Sequence, residues 1–204
     1  MTRSLVLRSA RRRETLRRFG NVASLLALAA SVVATGPAAA GTGEQHCVVR
    51  LVPLSAETAD GVVTASPRNE GCFSTLEAAL EAGTGGDVTL AASVGPQDLT
   101  QSLLEISIAG ASDVLLGTEY DSINFGGGST NYFASSGCAS TTWQVSNVGS
   151  ALNDTFESGK GFGTCDHNRK FEHADFGGAV QLCTPNCGTY GTLRNEVTSL
   201  RWRD

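Results

Sequence analysis

The chain has little positive charge once its first forty residues are set aside. The 204 residues include 15 Lys and Arg against 20 Asp and Glu, but residues 41–204 hold only 8 basic residues against 19 acidic ones, a net charge of −11. A surface of that sign repels phosphate backbones and anionic membranes at long range. The charge balance therefore argues against nucleic acid and membranes as partners.

Aromatic residues and long apolar runs are also scarce. Aromatics make up 6% of the chain, whereas glycine occurs 24 times and proline 5 times. This composition is typical of a turn-rich globular protein with a core of small aliphatic residues, and it excludes coiled coils and long helical bundles.

The first forty residues are predicted to be a signal peptide. Seven arginines within residues 3–18 precede an apolar run at 22–34, and Ala38 and Ala40 fit an A-x-A cleavage site before Gly41. The apolar run is shorter than the roughly 20 residues that a membrane-spanning helix needs. The double arginines leave both the general and the twin-arginine export routes open. The mature protein is thus expected to be secreted.

Six cysteines follow the predicted cleavage site. An even number of cysteines in an exported chain indicates disulfides. Zinc binding is the rival interpretation, and it is disfavoured because no paired C-x-x-C motif is present and the three histidines lack ligand spacing. Proximity along the chain suggests three pairs, although exchange among the last four cysteines stays open: Cys47 with Cys72, Cys138 with Cys165, and Cys183 with Cys187.

Residues 41–110 are predicted to form a small α+β unit that resembles no known family. A strand is expected at 47–52, followed by a Gly- and Pro-punctuated stretch that contains Val62-Val63. The sequence Ser74-Thr75-Leu76-Glu77 predicts a capping box with Ser74 as the N-cap of a helix that ends near Ala82. Leu76, Ala79 and Leu80 give this helix one apolar stripe, which is expected to pack in the core. Val88–Leu90 is expected to be a further strand. Leu103, Leu104 and Ile106 are expected to form a short buried segment.

From Asp113 onward the pattern predicts an all-β domain, 113–204, with short apolar stretches separated by turns. It contains an internal repeat, because the segment from Tyr120 to Gly127 and the segment from Phe171 to Gly178 share the spacing aromatic-x4-aromatic-x-Gly. The two aromatics are expected to stack across a folded hairpin, with glycine at a positive φ. Each copy is followed by an Asx-containing segment that ends in Ser, at 153–158 and 194–199.

These paired signatures resemble the βγ-crystallin family, in the form found in small secreted bacterial proteins. The resemblance covers residues 113–203. It implies two Greek keys of four strands packed as one β-sandwich, with the two Asx-containing loops meeting at one end.

The resemblance also implies that calcium binds between the paired loops, since calcium accepts six to eight oxygen ligands of mixed type. Glu157 stands where the family has a hydroxyl, and Arg194 replaces an Asx residue, so at most one good site or two weakened ones are expected. The alternative is that these Asx residues only turn the chain. Transferred by position, the implied ligands are Asn153, Asp154, Glu157, Ser158, Asn195, Thr198 and Ser199.

Enzyme chemistry has little support in the sequence. His46, His167 and His173 are widely separated, and no nucleophile elbow is present. Trp143 and Trp202 lie in strand-like runs and are expected to fill the core.

The sequence thus favours a secreted, non-enzymatic βγ-crystallin-like protein that binds calcium weakly. Two alternatives stay open. One is an inhibitor of a secreted protease, acting through the loop held between Cys183 and Cys187. The other is an antimicrobial protein that resembles the killer toxins of the same fold.

Overall fold

The described residues are mainly β-strands. The computed structural model describes residues 43–91, 93–107 and 113–204, with the backbone only at 105–107; the predicted signal peptide lies outside these ranges. Within them, the strands are β1 His46–Pro53, β2 Val62–Phe73, β3 Val114–Ser122, β4 Gly126–Ala134, β5 Thr142–Val145, β6 Ser158–Gly161, β7 His167–Phe171, β8 Val180–Cys183 and β9 Ser199–Arg203. The helices are α1 Leu76–Gly83 and α2 Gln101–Ser107, with single 3-10 turns at Ile123–Phe125, Ala174–Phe176 and Gly191–Leu193. None of the helices in these ranges is long and apolar enough to cross a membrane.

The strands form one sheet in the order β6-β3-β4-β1-β2-β5-β9-β7-β8. β5 pairs with β9, and Cys187 forms an isolated bridge with Gly159 on β6. Residues from the early part of the domain 113–204 therefore pair with residues from its late part. The expected two-layer sandwich is corrected in one respect: β1 pairs in parallel with β4 and β2 in parallel with β5, so the N-terminal strands join both groups into one nine-stranded sheet.

Strand β2 is the largest difference from the expected N-terminal structure. The sequence marks Val62-Val63 only as part of a turn-rich stretch, but the strand runs for 12 residues. The second half of β2 is polar and shows no apolar alternation. The strand is held instead by antiparallel pairing with β1 along the whole length of β1. Val88–Leu90 is not a strand, although Val88 is fully buried.

Helix α1 has the predicted apolar stripe and a different cap. Leu76, Ala79 and Leu80 are buried, as predicted. The N-cap is Thr75 rather than Ser74, because the Thr75 hydroxyl accepts the hydrogen bond of the Ala78 amide at 3.3 Å. The helix ends one residue later than predicted, at Gly83, where a side chain would collide with the ring of Phe133.

The N-terminal segment is fastened to the later strands, and Gly41–Asp204 forms one compact unit. Besides the strand pairing, Lys160 on β6 donates hydrogen bonds to the carbonyls of Pro96, Gln97 and Leu99 at 3.0, 2.8 and 2.9 Å. All three ammonium protons are thus used on one loop. The chain predicted as two adjoining units therefore shares one sheet and one set of tertiary contacts.

A buried ion pair lies inside the larger of two apolar clusters. Lys170 contacts the carboxylate of Glu119, which also accepts the hydroxyl hydrogen bond of Tyr190, and both charged side chains are at most 1% exposed. Burial lowers the pKa of Lys170, and burial followed by the charge of Glu119 raises the pKa of Tyr190. Trp143 and Trp202 are buried in the same cluster, as predicted.

Three disulfides are present, and they join the pairs that proximity suggests: Cys47 with Cys72, Cys138 with Cys165, and Cys183 with Cys187. The first links directly opposed residues of β1 and β2. The last closes a short loop that is tied to the body, since the Pro185 carbonyl accepts from Asn168 Nδ2 at 2.9 Å.

Candidate functional site

The two repeated signatures form folded hairpins of the same design. Tyr120 and Phe125 contact edge to face with ring centroids 5.8 Å apart, and Phe171 and Phe176 do so at 5.5 Å. The glycine that ends each signature has a φ of +74° at Gly127 and +75° at position 178. The predicted stacking and the predicted glycine conformation are both confirmed.

Ser158 and Ser199 close these hairpins from the following strand. The Ser158 hydroxyl donates to the Ser122 carbonyl at 2.6 Å and accepts from the Phe125 amide at 3.0 Å. Ser199 makes the equivalent bonds to His173 and Phe176 at 2.7 and 3.1 Å. Both side chains are fully buried, and their hydroxyls hold the hairpins closed in this structure.

The remaining predicted ligands lie on two loops, which we call loop 1, residues 153–157, and loop 2, residues 194–198. The loops run side by side, because the Asp154 amide donates to the Val197 carbonyl at 3.3 Å and the Asn195 amide donates to the Phe156 carbonyl at 2.9 Å. Asp154 and Asn195 have φ values of +59° and +57°. This is the left-handed conformation that Asx residues tolerate well.

The pairing places two chemically different groups at the ends of the loops. At one end Asn147, Ser150, Asn153 and Thr198 line an open depression. Asn153 Nδ2 donates to Asp154 at 2.6 Å, while Asn153 Oδ1 is buried and has no hydrogen-bond partner in the described residues. An oxygen acceptor of this kind, among hydroxyl and amide neighbours, is what a hard cation such as calcium uses.

The other end is less suited to a cation. Glu157 accepts the hydrogen bond of Asn195 Nδ2 at 2.7 Å, so one of its carboxylate oxygens is already engaged. Arg194 is exposed on the same loop. Both residues for which weakened calcium binding is predicted lie at this end. The end that contains Asn153 and Thr198 fits a calcium ion better.

Asn147 and Ser150 are functional candidates that the motif did not identify. They precede loop 1 in the chain, and they lie beside loop 2 because the Val148 amide donates to the Thr198 carbonyl at 2.9 Å. Only the Asn147-x-Gly149 turn, in which Asn147 accepts from the Gly149 amide at 2.8 Å, could have indicated this from the sequence.

Other metal chemistry has no comparable cluster. Across the described ranges, no three His, Cys, Asp or Glu side chains come together as a metal-binding group. His46 is buried on β1, His167 lies on β7 and His173 is exposed in a hairpin.

Comparison with known proteins shows structural similarity over part of the chain. Over about 43% of its length the chain is structurally similar to βγ-crystallin domains. An archaeal βγ-crystallin is 25% identical, with a TM-score of 0.33, 43% of this chain covered and 96% of that chain. A βγ-crystallin domain from Clostridium beijerinckii is 21% identical, with a TM-score of 0.34, and the match covers 43% of this chain and 97% of that chain. A βγ-crystallin domain from Flavobacterium johnsoniae is 20% identical, with a TM-score of 0.31, and the match covers 43% of this chain and 92% of that chain. No family model matches the chain, and no curated protein matches it.

Proposed function

We propose that this is a secreted, non-enzymatic βγ-crystallin-like protein with two Greek keys, and that its paired loops bind one calcium ion weakly. The observation that carries the calcium proposal is the unpartnered, buried oxygen of Asn153, a residue that lines the same depression as Thr198. Three disulfides support an extracellular location, because such bonds persist in oxidising compartments.

The expected affinity follows from the charge at the site. Asn147, Ser150, Asn153 and Thr198 contribute oxygens but no formal charge. Calcium sites with few carboxylates in extracellular modules have dissociation constants on the order of 10⁻⁴ to 10⁻³ M. Binding to the folded state alone stabilises it by about 2.7 kcal/mol when the calcium concentration is a hundred times Kd.

The test is a calcium titration of the mature protein, followed by melting temperature and by calorimetry. Millimolar calcium should raise Tm by a few degrees, and magnesium should do less because it demands a tighter octahedral shell. Thr198→Val, which removes the hydroxyl at nearly constant volume, should weaken the calcium response, whereas Thr198→Ser should retain it. The proposal is wrong if about 10 mM calcium, well above the expected Kd, moves neither Tm nor the calorimetric signal.

Inhibition of a protease remains the second proposal, and it requires a different surface. The loop from Cys183 to Cys187 is held by its disulfide and by the bond between Asn168 and Pro185, and such rigidity lowers the entropic cost of docking. If the protein inhibits a protease, Pro185→Ala should weaken inhibition and Asn153→Ala should not. A panel of secreted serine, cysteine and metalloproteases, none of them inhibited, would reject this function.

A further inference from the structure

A row of side chains, polar except for Leu182 at its β8 end, crosses five neighbouring strands on the outer face of the sheet. The strand register aligns Leu182, Arg169, Arg201, Gln144 and Thr64 across β8, β7, β9, β5 and β2. Successive side chains of a strand point to opposite faces, and the residues that follow or precede these in the strands are buried in the core. Five strands span about 19 Å, at roughly 4.8 Å between neighbours.

Three arginines give this face a strong positive charge. Arg169 and Arg201 are direct cross-strand neighbours, and Arg203 lies two residues along β9, opposite His167. Cross-strand neighbours lie about 5 Å apart and diagonal ones about 7 to 8 Å. We call Arg169, Arg201, Arg203 and His167, with Gln144 and Thr64, the basic strip. It holds three of the eight basic residues that residues 41–204 contain.

The arginines of the basic strip lack the counter-charge that Arg50, Arg68 and Lys170 have. Arg50 pairs with Glu70 on β2 and with Asp113, Arg68 pairs with Glu70, and Lys170 pairs with Glu119. No carboxylate of the described residues lies within 4.0 Å of Arg169, Arg201 or Arg203. Burial, followed by the charges of Arg169 and Arg203, lowers the pKa of Arg201. Three half-buried cations thus repel one another with no anion in contact.

Arg201 is held in place for contact with a ligand. Its guanidinium lies 5.4 and 4.6 Å from the ring centroids of Phe171 and Phe176, and its Nε donates to Gln144 Oε1 at 3.0 Å. Gln144 in turn donates to the Thr64 hydroxyl at 2.8 Å. The Nη groups make no hydrogen bond to the described residues, so they are free to donate to an oxyanion in the paired geometry that arginine favours.

The groups around the basic strip favour one class of anionic ligand over the others. Nucleic acid is disfavoured because the nearby aromatic rings lie beneath Arg201, where bases cannot stack on them. Addition of a peptide strand to β8 is hindered because Gln181 Nε2 already donates to the Leu182 carbonyl at 2.9 Å. Amide and hydroxyl groups beside the arginines match a ligand that carries hydroxyls as well as anions.

We propose that the basic strip binds an acidic polysaccharide, with Arg169, Arg201 and Arg203 holding its carboxylate or sulfate groups and Gln144 and Thr64 contacting its hydroxyls. This site is separate from the paired loops in its residues and its ligand, and it does not depend on calcium.

The experiment measures binding of the disulfide-bonded mature protein to immobilised polygalacturonate and dextran sulfate, with neutral dextran as the control. EDTA is present throughout, so failure of the calcium proposal does not affect the result. Binding should occur to at least one acidic polymer, should be absent on neutral dextran, and should weaken as salt rises. Arg169→Gln combined with Arg203→Gln should reduce affinity at least about tenfold, the loss expected when charge-assisted hydrogen bonds are removed.

Matched variants separate the strip from general charge and from misfolding. Arg68→Gln removes the same charge from an exposed position on β2 and should leave polymer binding unchanged. Arg169→Lys retains the charge and should bind more tightly than Arg169→Gln. The proposal is overturned if neither acidic polymer binds, if Arg68→Gln weakens binding as much as the strip variants, or if single-stranded DNA or polyglutamate binds more tightly than both polysaccharides.

Discussion

The hydroxyl of Ser158 donates a hydrogen bond to the carbonyl oxygen of Ser122 at 2.6 Å, 36 residues earlier in the chain. The hydroxyl oxygen of Ser158 also accepts a hydrogen bond from the amide of Phe125. One side chain thereby satisfies a carbonyl and an amide that the folded hairpin cannot pair internally. Ser199 repeats the arrangement in the second hairpin, so each signature depends on a residue from a strand that follows much later.

Ser158→Ala and Ser199→Ala should each destabilise the protein by about 1–3 kcal/mol, because each leaves partly buried backbone groups without a partner. The free energy of unfolding in urea is the measurement. Ser135→Ala is the control, since Ser135 is exposed and surface changes usually stay within about 0.5 kcal/mol. Equal stability of Ser158→Ala and Ser135→Ala would show that the hairpins do not need these hydroxyls.

The buried pair of Lys170 and Glu119 gives a second prediction. Glu119→Gln leaves the Lys170 ammonium in the core without a carboxylate, and it should destabilise the fold by about 3–5 kcal/mol. The double variant Glu119→Gln with Lys170→Met removes the uncompensated charge as well.

The double variant should therefore be more stable than Glu119→Gln alone, as measured by urea unfolding of both proteins beside the parent. If Lys170→Met added to Glu119→Gln lowers stability further, then burial of the charge is not the cause of the loss. The aromatic contacts of Lys170 with Tyr190 and Trp202 would then be the main contribution.

The sequence predicts features that depend on local spacing better than features that depend on distant pairing. The hairpin aromatics, their glycines and the buried stripe of α1 follow from spacing within eight residues. The insertion of β1 and β2 between β4 and β5 depends on partners 80 to 83 residues away in the chain. The sequence of β2 has no periodicity from which these partners could be predicted, because its second half is polar.

The candidate site shows the same limit. The Asx motif predicts Asn153, Thr198, Ser158 and Ser199 as one set of ligands, but it gives no sign that Ser158 and Ser199 also close the hairpins, since all four are hydroxyl or amide side chains. Ser158 and Ser199 are distinguished only by the hairpins that they contact. The motif gives no indication of the basic strip, because Arg169 and Arg201 become neighbours only through the pairing of β7 with β9.

The shared sheet leads to a third prediction, about cooperativity. Cys47 and Cys72 join β1 to β2, and these strands connect β4 to β5. Replacing both cysteines with alanine should lower stability by roughly 3 kcal/mol, because the 25-residue separation closes a loop in the unfolded chain. Unfolding should remain one transition, since loss of β1 and β2 opens the middle of the sheet.

Tryptophan fluorescence and hydrogen exchange at β1 report the two regions separately. Both signals should change at the same urea concentration in the double-alanine variant. Cys183→Ala with Cys187→Ala is the control, and it should cost less because those residues are only 4 positions apart. Loss of exchange protection in β1 while Trp143 and Trp202 remain buried would instead establish two independently folding units.

The last prediction concerns the pH dependence of stability through His46. His46 is 5% exposed, and its Nδ1 lies 2.9 Å from the Ser129 hydroxyl. Burial lowers the pKa of His46 below 6.5 despite the opposing charges of Glu44, Glu77 and Asp121. Between the folded pKa and 6.5 the unfolded chain therefore binds more protons than the folded one, so the stability that neutral His46 permits is present above pH 6.5 and is lost as pH falls through this window.

His46→Gln should remove this component, which changes by at most about 1.4 kcal/mol per pH unit for one proton. The measurement is the difference in unfolding free energy between variant and parent from about pH 5 to pH 8, the range in which histidine titrates. Asp121, whose pKa is raised by burial, acts in the opposite direction, and the difference removes only the part of its contribution that does not depend on the charge of His46. His173→Gln, at an exposed position, is the matched control and should give a flat difference. A flat difference for His46→Gln as well would mean that the buried imidazole takes up its proton as readily as in the unfolded chain.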